Sequence, residues 1–194
     1  MIAAVVLLTI VVLYRVLLGT AGSGDMQWLH NFAPVAAIAL CGAVYLPRKI
    51  AWVLPLAMLF VSDLVLNLFH YQAPMLSWDI LPRYAALVLI TGLGFMLRGR
   101  VGFLGLMTGS LVGSVIFYLV TNTGSWLAEP GYAKSAAGWI QAMTVGLPGF
   151  PPTWWFYRHT MISDLLFTAL FVVCVRLASR SEAPGLEPRR APAA

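Results

Sequence analysis

Six apolar runs of spanning or near-spanning length follow one another along the chain, at residues 2–18, 32–46, 50–69, 80–97, 101–120 and 161–178. A bilayer core about 30 Å thick takes roughly 20 helical residues. The pattern therefore predicts an all-α polytopic membrane protein, a compact bundle of six transmembrane helices forming one domain over 1–178. The second run, between Asn31 and Pro47, is short, which predicts a tilted partial span or a helix buried by its neighbours. The fifth run stops at TNTGSW (121–126), where Asn122 and Gly124 suit a helix end.

The connector 121–160 is too long to be structureless in so small a bundle and is expected to pack. Within it AKSAAGWIQAMTVG (133–146) predicts a short helix ended by Gly146 and Pro148. PGFPPTWWFY (148–157) predicts an extended or turning stretch. The polar tail SRSEAPGLEPRRAPAA (179–194) is expected to be disordered.

Composition sharpens this picture. Only 10% of the 194 residues are charged and 60% are hydrophobic, with a mean hydropathy of +0.85. A soluble domain carries about 25% charge, so the net charge of +5 is read as topology and not as a nucleic-acid signal. Eight of the twelve basic residues, Arg48, Lys49, Arg98, Arg100, Arg176, Arg180, Arg189 and Arg190, fall on one side of a six-span bundle. Basic loops mark the cytoplasmic side. That places both termini on the cytoplasmic side of the membrane, with 19–31, 70–82 and 121–160 outside. The first run also has a second reading, a secretory leader with GTAGSG as its cleavage region, although it lacks a basic start and is broken by Tyr14 and Arg15. Cys41 and Cys174 lie inside apolar runs and read as packed thiols.

Ionisable side chains in spanning helices normally face a cavity or a partner. Here they gather toward the outer side. Asp63, Asn67 and His70 share one helix face by their i, i+4, i+7 spacing. Arg83 and Tyr84 open the fourth helix, Arg15 and Tyr14 close the first, and Arg158, His159 and Asp164 surround the start of the sixth. An outward pocket lined by His30, Asp63, Asn67, His70, Arg83, Tyr84, Asn122, Trp126 and Arg158 is one reading. Structural ion pairs, Asp63 with Arg83 and Asp164 with Arg15, are the other.

The three histidines, His30, His70 and His159, all fall on the outer side and are candidate cobalt, nickel or zinc contacts, although their spacing is not that of a metal motif. Trp126, Trp139, Trp154 and Trp155 would stack on a flat ligand or form an interfacial belt. Gly105, Gly109 and Gly113, with Ser110 and Ser114, form a small-residue stripe suited to close packing within the bundle. The chain contains no Walker A, HExxH, GxSxG or CxxC sequence.

NFAPVAAIAL (31–40), PLAMLFVSDL (55–64), TNTGSW (121–126) and SDLLFTALF (163–171) resemble a family of small bacterial transport-type proteins. That family looks like the substrate-binding S-components of energy-coupling-factor vitamin transporters and lies near the small solitary cobalamin transporters. The resemblance implies a six-helix protein that binds a vitamin or metal externally, with cobalamin as the transported ligand and no intrinsic cofactor. A separate ATP-driven module, the lipid bilayer and a vitamin-like solute are the partners it implies. Some relatives of that kind use a loop cysteine to bind cobalt and remove cyanide, but the matching segment HYQAPMLSWDILPRY (70–84) has none. The expected function is thus solute uptake without catalysis. Alternatives are an S-component for another vitamin or for cobalt or nickel, a membrane enzyme acting on a lipid-linked substrate, and a structural subunit docking through the glycine stripe.

Overall fold

The computed structural model describes residues 34–68 and 80–181, together with Val6, Thr9, Ile10, Leu13, Tyr14, Val16 and Leu17 of the N-terminal run, all helical. His30, His70 and Arg15 lie outside the described residues, as does the tail beyond Ser181. The fold is all-helical. Six helices are described: α1 (Val35–Tyr45), α2 (Arg48–Leu66), α3 (Ile80–Leu97), α4 (Phe103–Ala128), α5 (Ala136–Met143) and α6 (Thr153–Ser181). Four of them, α2, α3, α4 and α6, are long and apolar enough to cross a membrane.

The chain reverses direction at Leu46–Pro47 and again at 98–102, so α1 and α3 run toward one end of the bundle and α2 and α4 away from it. Arg48, Lys49, Arg98 and Arg100 mark that basic end. At the opposite, aromatic end, α5 and the tryptophans cover the last turns of α4.

The short second run forms the hub. With 11 residues α1 is about 16 Å long, roughly half the hydrocarbon thickness. Every residue from Val35 to Ala43 is buried, as expected of a helix that is apolar on all sides. It packs against α2, α3, α4 and α6 alike. Its alanines allow that closeness. At Gly94 of α3 an added Cβ would stand 2.5 Å from the Ala43 Cβ and 2.9 Å from the Leu40 carbonyl oxygen. Val35, Ala36, Ala39 and Leu40 join Leu59, Leu87 and Ile90 in one buried cluster; Ile38, Cys41 and Leu46 join Ala51 and Phe171 in another. The glycine stripe is spent inside the bundle, Gly109 facing Leu97 and Leu40 and Gly113 facing Ile90 and Ala36.

Two expected helix boundaries are corrected. TNTGSW does not end the fifth run, because α4 continues through it to Ala128. The Thr121 hydroxyl donates to the Phe117 carbonyl at 2.7 Å and the Asn122 amide to the Tyr118 carbonyl at 2.8 Å. Their polar groups are thus satisfied by the preceding turn rather than by breaking it. Gly124 is there for a neighbour: an added Cβ would lie 2.1 Å from the Pro82 ring. The helix stops at Glu129–Pro130, where proline cannot continue it. The second correction is α6, which starts at Thr153 and so takes TWWFY into the helix. Proline at the preceding positions is compatible with a helix start.

The connector packs as expected. Ser135 caps α5 through Gly138 N–H, and Gly146 adopts a φ of 73° just after that helix. Trp126 donates to the Ala133 carbonyl at 2.9 Å and Trp139 to the Thr123 hydroxyl at 3.1 Å.

Gly94→Ala is expected to lower stability by about 1–3 kcal/mol through overpacking against α1. Gly92→Ala places its methyl where nothing lies within 4 Å, and is expected to be neutral or to stabilise by up to about 1 kcal/mol. Thermal unfolding in detergent, followed by circular dichroism, compares the two.

Candidate functional site

α1 begins at mid-bundle, and its first N–H groups have no helical partners. Asp164 meets them. Its Oδ1 accepts the Ala37 N–H at 2.9 Å, with the Ala36 N–H close by. The residue is 0% exposed. Because α6 starts at Thr153, Asp164 lies three turns into the helix and not near its beginning, the place the sequence suggested. It was expected to pair with Arg15, which lies outside the described residues. Among the described residues its partners are neutral.

The other side of the carboxyl faces α4. The Ser114 hydroxyl lies 2.7 Å from Asp164 Oδ2 and 3.1 Å from the Ser110 carbonyl oxygen. Thr168, one turn along α6 from Asp164, donates to the Ser110 hydroxyl at 2.9 Å and also meets the Cys41 thiol. Ser110, Ser114 and Thr168 are all buried. Four-residue spacing on each helix, Ser110 with Ser114 and Asp164 with Thr168, is what aligns them.

Above this polar seam α4 and α6 separate. A cavity of about 220 Å³ lies between them, lined by Ser114, Tyr118, Thr121, Asn122, Tyr157 and Thr160, with Phe117, Phe156 and Thr153 completing the wall. Ser114 is its deepest lining residue on α4 and Thr160, one turn before Asp164, its deepest on α6. At the rim the Tyr118 hydroxyl donates to the Met143 carbonyl at the end of α5, and the Tyr118 and Tyr157 rings pack with centroids 4.6 Å apart. The cavity can accept and donate hydrogen bonds to a small polar molecule, and its floor touches a carboxyl.

The expected pocket residues separate into distinct groups. Asn122 lines the cavity. Asp63 and Arg83 pair across α2 and α3 with Oδ2 and Nη1 3.6 Å apart, Asp63 buried and the Arg83 side chain 28% exposed. Asn67 sits half-buried at the end of α2 and Tyr84 packs beside the α1–α3 cluster, so these four form a group on the α2–α3 side. Trp126 belongs to the connector. Arg158 lies over the Trp155 ring at 5.7 Å, and His159 stacks on the same ring with Nδ1 2.8 Å from the Trp155 carbonyl oxygen. Among the described residues no three His, Cys, Asp or Glu side chains come together to hold a metal.

A family model matches residues 1–186 and is described as a family of unknown function, DUF6580. The chain belongs to this family. No curated protein and no solved structure matches it. For this DUF6580 chain the site must be read from its own geometry. Arg98, expected only as a topological charge, closes the far end of α1. Its Nε donates to the Ala43 carbonyl at 2.8 Å and its Nη2 to the Ala43 and Leu46 carbonyls.

Asp164→Leu is expected to cost the DUF6580 protein at least about 3 kcal/mol, because it leaves buried N–H groups without an acceptor. Asp164→Asn keeps an oxygen for the Ala37 N–H and is expected to lose clearly less. Thermal unfolding of both variants in the same detergent measures the difference.

Proposed function

We propose that this protein is a solute-uptake protein of a bacterial inner membrane, taking a small vitamin-like solute from the outer side into the cavity between α4 and α6. The observation that carries the reading is the cavity itself: a mid-membrane space rimmed by hydroxyl and amide side chains and floored by Ser114 on Asp164. Polar groups at that depth are costly in lipid and mark solute or ion paths. A helix that begins at the bilayer midplane beside a binding site is a recurring feature of transporters.

The orientation follows from the basic residues at the Arg48 and Arg98 turns. They put that end in the cytoplasm with both termini, and open the cavity outward beneath the aromatic connector. The resemblance to vitamin-binding S-components supports the same reading. Its cobalamin assignment requires the connector to move aside, since about 220 Å³ lies below the roughly 300–1,000 Å³ of sites for drug-sized ligands. A smaller solute suits the cavity as it stands. The chain carries no Walker A sequence, so accumulation draws on an ion gradient or a separate ATP-driven module.

Calorimetric titration of the purified protein with thiamine, biotin, pantothenate, riboflavin and cyanocobalamin tests the proposal. One of the smaller solutes is expected to bind, with Asn122→Leu and Thr160→Val each weakening it about tenfold or more while Arg158→Ala leaves it unchanged. Equal binding by wild type and both cavity variants would remove the cavity from the reading. A corrinoid absorption spectrum in the purified protein would restore cobalamin.

A further inference from the structure

We propose that Asp164 is a proton-binding site reached from the cavity through Ser114, and that protons drive the uptake described above; the coupling half of this inference rests on that uptake reading. The argument is one of hydrogen-bond inventory. Ser114 has a single hydroxyl proton but two acceptors in reach, Asp164 Oδ2 at 2.7 Å and the Ser110 carbonyl at 3.1 Å. With Asp164 ionised, the Ser114 proton points at Oδ2. With Asp164 protonated, the carboxyl O–H donates to Ser114 Oγ and the Ser114 proton turns to the Ser110 carbonyl. In both states Oδ1 keeps the Ala37 N–H at 2.9 Å. The site therefore accommodates either protonation state without moving a heavy atom.

The surroundings agree. Asp164 is fully buried, and among the described residues no Lys, Arg or His pairs with it. Among the described residues the titratable groups around it are the Cys41 thiol from α1, Tyr157 from α6 itself, Tyr118 from α4 across the cavity, and Tyr14 of the N-terminal run beside Phe167. None is a cation in any state. Among the described residues an ionised carboxylate there is balanced by the α1 N-terminus and the Ser114 hydroxyl, and a bound proton removes the charge.

Among the described residues access is one-sided. Toward the aromatic end, Thr160, Tyr157, Asn122 and Thr121 connect the Ser114 floor with the cavity. Toward the basic end the Ser110–Thr168–Cys41 chain runs into the packed cluster of Ile38, Leu46 and Phe171. Exchange through the cavity means that a solute seated on Ser114 controls the route by which the proton enters.

Infrared spectroscopy of the solute-free protein across pH tests the site. A carbonyl-stretch band of a protonated carboxyl is expected at acidic pH, lost as pH rises, missing in Asp164→Asn, and shifted in Ser114→Ala, which removes the acceptor of the O–H but leaves the α1 cap. A band unaffected by Asp164→Asn, or no band at any pH, overturns the proposal. If Asp164→Asn does not fold, labelling of the wild type with dicyclohexylcarbodiimide decides, because this apolar reagent needs a protonated carboxyl. Asp164 is expected to be labelled at acidic pH, protected at alkaline pH and labelled more than the paired Asp63; an Asp164 unlabelled at every pH overturns the site.

Proteoliposomes holding a pH-sensitive dye and offered the same five solutes separate the two readings. Solute entry accompanied by proton entry supports coupling, and solute entry without it overturns coupling while the uptake reading stands. No entry of any solute, with the Asp164 band intact, overturns uptake and coupling and supports the proton site alone.

Discussion

At 11 residues α1 is too short to span a bilayer, and its first turn is buried inside the bundle, so its N–H groups are presented where water does not reach. Each backbone group left unpaired at that depth costs several kcal/mol. α1 resolves this with charge-bearing side chains at both ends: Asp164 accepts from its first turn, and Arg98 donates to its last carbonyls. A carboxylate at the positive end and a guanidinium at the negative end also match the direction of the helix dipole. The two partners come from different helices, α6 and α3, so a single short helix fixes the relative depth of both. The close approach at Gly94 and the alanine-rich surface of α1 follow, because a hub capped by side chains of fixed reach leaves little space for large residues.

The same constraint shapes the site. A carboxyl that must touch α1 projects from α6 toward the bundle centre, and its second oxygen then needs partners of its own. Ser114 and, through it, Ser110 provide them. Thr168 and Cys41 extend the polar seam by one more turn. Toward the aromatic end from Asp164 the cavity is bordered by α4 and α6, and their facing side chains are hydroxyls, an amide and aromatic rings. The α1 cap and the cavity floor thus share one carboxyl, reached from opposite sides.

Much of this was legible in the sequence. The apolar runs located α2, α3 and the body of α4, the short run before Pro47 announced either a tilted partial span or a buried helix, of which the buried helix is found, and AKSAAGWIQAM announced α5. The misplaced boundaries have a common cause. Thr121 and Asn122 are polar, and so are Thr153 and Tyr157, but in a helix such side chains can bond to the preceding turn or line a cavity, and hydropathy does not distinguish that from a break. Placing the start of α6 too late put Asp164 near the membrane surface, and a residue expected there is naturally matched with a surface arginine. The i, i+4 hydroxyls were visible, as Ser110 and Ser114 beside the glycine stripe. That they face Asp164 depends on the rotation of α4 against α6, which the repeated glycines permit but do not specify. The Asp63–Arg83 pair, in contrast, was accessible because both residues lie near helix ends joined by one connection.

Asp164 therefore carries two loads that pull in different directions. As the cap of α1 it needs to stay in place, since losing it would expose the first turn of the central helix to a medium with no replacement donors or acceptors. Behind the cavity floor it is separated from whatever enters by the Ser114 hydroxyl alone. The geometry reconciles these by dividing the carboxyl: Oδ1 is held by the backbone of α1, and Oδ2 meets a hydroxyl that can rotate. A change at Oδ2 then need not uncap α1, yet it alters the charge opposite the helix dipole and so the strength of the cap. A ligand or proton acting at Ser114 would be felt first by α1, and through α1 by every long helix that packs on it.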